Sequence, residues 1–145
     1  MNGLNCFIGL MLASVLRIHE PINFTCSDYD LICRCVQAEA GGESMLCQEA
    51  VATVILNRVY CEDKFPDTVE GVITQKKQFI LVSMDDEISE DVKLSVLSAL
   101  INYGTLKQEI PRSCYYFRAK NYHTFGIPYK RIDKTYFSLA ENATD

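Results

Sequence analysis

Histidine is scarce in this 145-residue chain: only His19 and His123 are present, and no two of its seven cysteines are spaced C-x-x-C. Structural zinc needs thiolates and imidazoles at short, regular spacings, so a metal site is not expected. Long basic runs are also missing. The clusters Lys76-Lys77 and Lys130-Arg131 are short, and the net charge is −5. Phosphate backbones demand clustered cations, so these pairs read as solvated surface and no nucleic-acid partner is expected. There is no low-complexity segment, no internal repeat and no linker. The length suits one domain with one core.

The apolar stretch CFIGLMLASVL, residues 6–16, has the length of a signal-peptide core and is too short to span a bilayer comfortably. No Lys or Arg precedes it and no small-x-small cleavage site follows. A helix packed on the domain, or a membrane-surface anchor, fits it equally, and no stable membrane span is expected. Because the cysteine count is odd, at least one thiol is free or pairs between chains. Several of the seven fall on apolar helical faces, where cysteine behaves as a small hydrophobe. Mostly reduced, buried thiols are expected, with room for one or two disulfides. The expected organisation is an N-terminal apolar segment over 1–27, a folded block over 28–140 and a tail over 141–145.

Along the chain, Ser27 with Asp30 three residues on resembles a helix N-terminus. The helix it opens places Tyr29, Ile32, Cys33, Val36 and Ala40 on one face. Gly41-Gly42 is expected to stop it through a left-handed cap. Ser44 then starts MLCQEAVATVILNRVY, apolar nearly all round except for Glu49, Thr53 and Asn57, which predicts a central buried helix. A turn and cap at Phe65-Pro66-Asp67 lead into a short helix, TVEGVITQ. A loop follows over 76–87, and from Ser89 an amphipathic helix runs to Gly104. CYYF reads as a strand, AKNYHTFGIPYK as an aromatic-rich loop, and RIDKTYFSL as a weaker, alternating strand.

Glu39 is out of place in this pattern, standing seven residues after Ile32 and so nearly above it on the apolar face. Partial burial, the negative end of the helix dipole and the neighbouring Glu43 would each raise its pKa. A carboxylic acid still protonated near neutrality is what a glycosidase needs in order to protonate a leaving oxygen. The competing reading is a carboxylate that caps a helix or forms an ion pair with Arg58 or another cation.

RCVQAEAGGESMLCQEAVATVILNRV resembles the signature of the cell wall hydrolase family that includes the spore cortex-lytic enzymes (SleB/CwlJ type). Its A-E-A-x-G-E motif and terminal L-N-R-V are matched at Ala38, Glu39, Ala40, Gly42, Glu43 and Leu56 to Val59. FPDTVEGVITQKKQF is similar to a second family element through Phe65, Pro66, Gln75, Gln78 and Phe79, and YYFRA to a W-Y-F-R-P stretch. The resemblance runs from about residue 28 to 140. It departs from the family at Leu46-Cys47, at Ala119 and around Lys134-Thr135, which are supporting positions. No separate carbohydrate-binding repeat is recognisable.

The resemblance implies a mainly helical α+β, lysozyme-like domain of the lytic transglycosylase kind. It implies cleavage of peptidoglycan between N-acetylmuramic acid and N-acetylglucosamine, at the cell wall or spore, by a monomer without metal or organic cofactor. Glu39 would be the catalytic acid and then the base. Glu43, Gln75, Gln78, Phe79, Tyr116 and Tyr122 would contact substrate, with His123 a weaker candidate. A hydrolytic muramidase would need a second carboxylate, for which Asp63, Asp67 and Glu70 are the nearby candidates. A non-catalytic peptidoglycan-binding or spore-structural protein would keep the fold with Glu39 salt-bridged or removed from any cleft. The seven cysteines alone suggest a more remote redox or metal protein.

Overall fold

A computed structural model describes residues 24–141. The stretch 6–16, Cys6, His19 and the tail beyond Glu141 lie outside the described residues. Four helices are followed by a small sheet: α1 (Cys26–Ala40), α2 (Met45–Val59), α3 (Val69–Ile73), α4 (Glu90–Asn102), β1 (Cys114–Ala119), β2 (Ile127–Ile132) and β3 (Thr135–Leu139). The class is α+β and mainly helical, as expected from the sequence.

Helix α2 is the axis of the molecule. From Cys47 to Val59 every residue except Glu49 is buried, and α1, α3, α4 and β1 all pack around it. Full burial of Val51, Val54, Ile55 and Leu56 contributes ~2 kcal/mol each before chain entropy is counted. Its polar residues are tied into the fold by hydrogen bonds, although the buried Asn57 Oδ1 has no partner among the described residues. Gln48 accepts from Ser95 (2.9 Å), and Glu49 accepts from Ser98 (2.9 Å) and Asn102 (3.0 Å), joining α2 to α4. Asn57 donates to the carbonyls of Pro111 and Cys114, both at 2.9 Å, and so seats the entry to β1.

Helix starts follow their side-chain caps. Ser44, Thr68 and Ser89 each accept from the backbone N–H three residues on. For α3 the cap is thus Thr68, within the stretch read as helical, rather than the turn before it. For α1 it is Thr25 and not Ser27. Thr25 accepts from Asp28 N–H (3.1 Å) while Asp28 accepts from Thr25 N–H (2.8 Å), a reciprocal box. Two S/T-x-x-D spacings overlap here, and burial of Phe24 goes with the earlier one. The end of α1 also differs from expectation. Gly41 is right-handed (φ −60°, ψ −26°), and what it needs is space: a Cβ there would lie 2.4 Å from the Gln37 carbonyl oxygen.

The sheet has the order β1-β3-β2 with both pairings antiparallel. RIDKTYFSL is therefore two strands rather than one, and the first takes in IPYK from the stretch read as a loop. The chain reverses at Asp133, whose φ of 51° is one that aspartate tolerates better than most residues. Asp133 also accepts from the Ser44 N–H (2.9 Å) and hydroxyl (2.5 Å), fastening this hairpin to the start of α2. On the core face Phe117 opposes Phe137 across the strands, and Phe79 packs on Phe117 with ring centroids 6.0 Å apart.

Cys33, Cys35, Cys47, Cys61 and Cys114 are free thiols among the described residues, so none of these five forms the disulfides for which the sequence left room. Burial pushes Cys33 and Cys114 up to about 12 and Cys47 up to about 11, which makes them inert at neutral pH. Among the described residues, no helix is long and apolar enough to cross a membrane.

Candidate active site

Residues 74–88 have no periodicity of their own and take their path from α1. Three side chains or carbonyls of that helix capture the loop's backbone: Glu39 Oε1 accepts from Ile80 N–H (2.8 Å), the Arg34 carbonyl from Val82 N–H (3.3 Å), and Gln37 Oε1 from Ser89 N–H (2.9 Å). Arg34 is buried, although it lies off the apolar face marked by sequence spacing. Its guanidinium donates to the Val82 carbonyl and reaches the Met84 sulfur. The loop is thereby laid along α1 and forms one wall of a cleft of about 340 Å³.

Glu39 lines that cleft together with Gln78, Phe79 and Ile80 of the loop, and Phe117 and Arg118 at the end of β1 face it. Lys77 completes the loop wall, held at φ 63°. Glu39 is half-buried at the last turn of α1, and among the described residues it forms no ion pair. Burial raises its pKa, and the hydrogen bond from Ile80 N–H offsets this in part. The expected contribution of Glu43 is not present in that balance. Glu43 instead accepts from Lys134 N–H at 3.4 Å. Because Oε1 of Glu39 is occupied by Ile80, a proton on this carboxyl belongs on Oε2, which leaves Glu39 able to donate into the cleft. Asp63, Asp67 and Glu70 are all exposed and none lines the cleft; among the described residues Glu39 is its only carboxyl group.

The competing ion pair with Arg58 does not form. Arg58, only 4% exposed, donates to the Tyr115 carbonyl (2.8 Å) and to Gln78 Oε1 (3.0 Å). Its guanidinium lies over Phe79 (4.7 Å), Phe65 (4.9 Å) and Tyr116 (5.8 Å). Burial lowers its pKa to about 10, so it stays charged at neutral pH. Arg58 thus holds two cleft residues, Gln78 and Phe79, from behind.

Of the residues singled out from sequence, Glu39, Gln78 and Phe79 share the cleft, and Glu43, Gln75, Tyr116 and Tyr122 do not line it. Gln75 has a buried Oε1 without a hydrogen-bond partner among the described residues. Tyr116 packs edge-on against Phe125 (5.1 Å) and belongs to the cage around Arg58. Tyr122 packs edge-on against Tyr136 (4.9 Å). His123 hydrogen-bonds the Phe117 carbonyl (3.2 Å) and stacks on Phe125 (4.6 Å), anchoring the loop before β2. Among the described residues no cluster of His, Cys, Asp and Glu could hold a metal ion. Sequence reasoning missed the Ile80 N–H, which leaves no sequence signal, and the cleft positions of Lys77 and Arg118. The pair Lys76-Lys77 was visible but looked like ordinary surface.

A family profile described as cell wall hydrolase matches residues 42–138, beginning just after Glu39. A spore cortex-lytic enzyme from Bacillus cereus is 40% identical over 84 residues, covering 55% of this chain and 32% of that protein. The chain spans about a third of the length of the first curated relatives it matches. Among solved structures, the catalytic domain of the Bacillus cereus SleB protein superposes with a TM-score of 0.66 at 31% identity, covering 79% of this chain and 91% of that domain. The catalytic domain of the germination-specific lytic transglycosylase SleB from Bacillus anthracis gives the same TM-score and identity, with 82% and 99% covered.

Proposed function

The chain belongs to the cell wall hydrolase family, and from that premise we propose that it cleaves the glycan strands of peptidoglycan between N-acetylmuramic acid and N-acetylglucosamine, with Glu39 as its single catalytic acid and base. The observation that carries this reading is a half-buried carboxyl group without an ion-pair partner among the described residues, alone of its kind in an open cleft. The relatives named spore cortex-lytic enzymes support a spore-associated wall as the place of action.

The proton on Glu39 Oε2 passes to the bridging glycosidic oxygen as the bond from muramoyl C1 to that oxygen breaks, and the leaving sugar departs as an alcohol. The carboxylate left behind then takes the proton of the muramoyl 6-hydroxyl. That oxygen closes onto C1, giving a 1,6-anhydro ring and restoring the acid. No second carboxylate is required, which agrees with the composition of the cleft, whereas a hydrolytic double displacement would call for one across it. Burial keeps Glu39 protonated further towards neutrality, which suits the first step. Gln78 offers an amide to sugar hydroxyl or N-acetyl groups, and Phe79 an apolar ring against a sugar face. The main chain of Ile80 keeps the carboxyl oriented.

Mass spectrometry of soluble products from purified peptidoglycan and from spore cortex, with wild type beside Glu39→Gln, tests the reading. Anhydromuramoyl ends that fall by about a thousandfold in the variant are expected, within the usual contribution of a positioned acid–base. Reducing muramic acid ends would replace the transglycosylase step by hydrolysis. Release undiminished in the variant, or none by folded wild type on either substrate, would overturn Glu39 or the enzymatic reading itself.

A further inference from the structure

Ile80, whose N–H holds Glu39 Oε1 (2.8 Å), stands between two anchored neighbours on the 74–88 loop. On one side Arg58 holds Gln78 and Phe79 through their side chains. On the other side stands Val82, and both polar groups of its backbone go to Arg34. The Val82 N–H donates to the Arg34 carbonyl (3.3 Å), and the Val82 carbonyl accepts from Arg34 Nε (3.1 Å) and from Nη2. Arg34 is only 9% exposed and forms no ion pair among the described residues, so its charge is buried for this grip and for the contact with the Met84 sulfur. A buried charge is a costly way to hold down a surface loop, since a neutral donor would satisfy one carbonyl. What the guanidinium adds is direction, because its planar fork fixes the acceptor in angle as well as in distance.

Ile80 and Val82 both turn their N–H groups to α1, as residues two apart in an extended chain do. Their acceptors, Glu39 and Arg34, stand five residues apart on the helix, about 7.5 Å of rise against about 6.7 Å for two extended residues. The loop therefore runs back along α1 in one register, and a slip of one residue would turn the Ile80 N–H away from the carboxyl group. We propose that Arg34 is a positioning residue for Glu39: by gripping Val82 it sets this register, and so delivers the Ile80 N–H that aims the carboxyl group into the cleft. The inference rests on the reading of Glu39 as the catalytic acid. Without Arg34 the carboxyl group is free to swing and loses a hydrogen bond that stabilises its charged form. The other titratable groups around Glu39 are Cys35 on α1, a thiol that burial keeps neutral, Lys77 on the loop, Arg118 on β1, Arg58 of α2 behind Phe79, and Glu43, turned to the Lys134 N–H. All of them remain when Arg34 alone is replaced.

The test is an NMR titration of the Glu39 side-chain carboxyl carbon, in protein without substrate, for wild type, Arg34→Met and Arg34→Lys. Methionine fills the space without a donor, whereas lysine keeps the charge but offers the Val82 carbonyl a flexible ammonium in place of the fork. Glu39 should titrate at higher pH in both variants than in wild type, and further in methionine, with the fold held by circular dichroism. Because lysine retains the charge, a displacement there reports position. In glycan cleavage by Arg34→Met, kcat should fall by about tenfold or more, since a slightly misplaced acid is a poor proton donor. The alkaline limb of kcat/KM should move up with the titration. KM should change less, because Gln78 and Phe79 keep their hold on Arg58. A folded Arg34→Met protein whose Glu39 titrates as in wild type, or at lower pH, would overturn the proposal; if methionine does not fold, the same result for lysine does so. A loss carried by KM alone would also overturn it, reducing Arg34 to a support of the cleft wall. A displaced titration in a protein whose wild type cleaves nothing would uphold the positioning and sink the catalytic reading. Glu39-dependent cleavage indifferent to Arg34 would do the reverse.

Discussion

Replacing Arg58 by lysine should damage this protein more than replacing it by methionine, although lysine keeps the charge. Arg58 is 4% exposed, has no carboxylate partner among the described residues, and spends its guanidinium on two acceptors and three rings. An ammonium on a flexible stem cannot reach the Tyr115 carbonyl and Gln78 with the same planar fork, and it stacks less well on Phe79 and Phe65. One unsatisfied part-buried acceptor costs ~1–2 kcal/mol, and the weakened ring contacts ~1 kcal/mol. Lysine is also more strongly hydrated, and burial that lowers arginine to about 10 would carry lysine, which starts about two units lower, towards neutrality. The sum for Arg58→Lys is ~3 kcal/mol. Methionine leaves the Tyr115 carbonyl unpaired as well, but it removes the buried charge and regains part of the aromatic contact, so Arg58→Met should cost only ~1–2 kcal/mol. Urea unfolding with an unchanged m-value should show a midpoint lowered by about 1.5–2 M for lysine and about half of that for methionine. A lysine variant within 1 kcal/mol of wild type, or a methionine variant that falls further, would refute the account of Arg58 as a charge tolerated for its geometry. Both variants should raise KM on glycan fragments, because Gln78 and Phe79 lose their backing.

The raised pKa of Glu39 has consequences for rate and for stability. The alkaline limb of kcat/KM should lie above the ordinary glutamate range and be absent from any residual activity of Glu39→Gln. Because the folded state holds this proton more tightly than the unfolded chain, the group's effect on stability is neutral below the ordinary glutamate pKa. It becomes increasingly unfavourable as pH rises through the folded value, so Glu39→Gln should gain on wild type in melting temperature towards neutrality, and a gain seen only at acid pH would contradict this. Asp133 has the opposite sign. The Ser44 hydroxyl and N–H hold its pKa below the ordinary aspartate range, so its contribution is present above that range and is lost as pH falls through the depressed value. Asp133→Asn should therefore melt lower than wild type at neutral pH and converge with it in acid; a constant gap across pH would place the effect elsewhere. Gly126 stands at φ 77°, with a Cβ position 2.5 Å from the Leu139 carbonyl oxygen. Gly126→Ala should cost at least ~2 kcal/mol by opening the β2–β3 pair, whereas Gly42→Ala, with nothing within 4 Å, should stay within about 0.5 kcal/mol.

What could be read along the chain is what depends on neighbours in sequence. Ser44 and Ser89 announce their helices because capping is a contact three residues long. The nearly uniform apolarity of α2 demands burial on all sides wherever the helix is placed. The same local logic puts Glu39 on an apolar face at the end of α1, and so marks it as a carboxyl group out of its element. Where two local signals compete, locality stops deciding: Thr25 and Ser27 both stand three residues before an aspartate, and RIDKTYFSL alternates as well in two short strands as in one. The cleft itself is a matter of tertiary structure. The 74–88 loop has no periodicity, and its path follows from hydrogen bonds to α1 residues some forty or more positions earlier, among them the one that occupies Glu39 Oε1. Lys77 and Arg118, distant in sequence and each ordinary in its own context, become opposite walls of one cleft only because that loop and β1 both pack against the core beside α1. A side chain's charge is written in the sequence, but its desolvation and its neighbours across space exist only once the chain has folded.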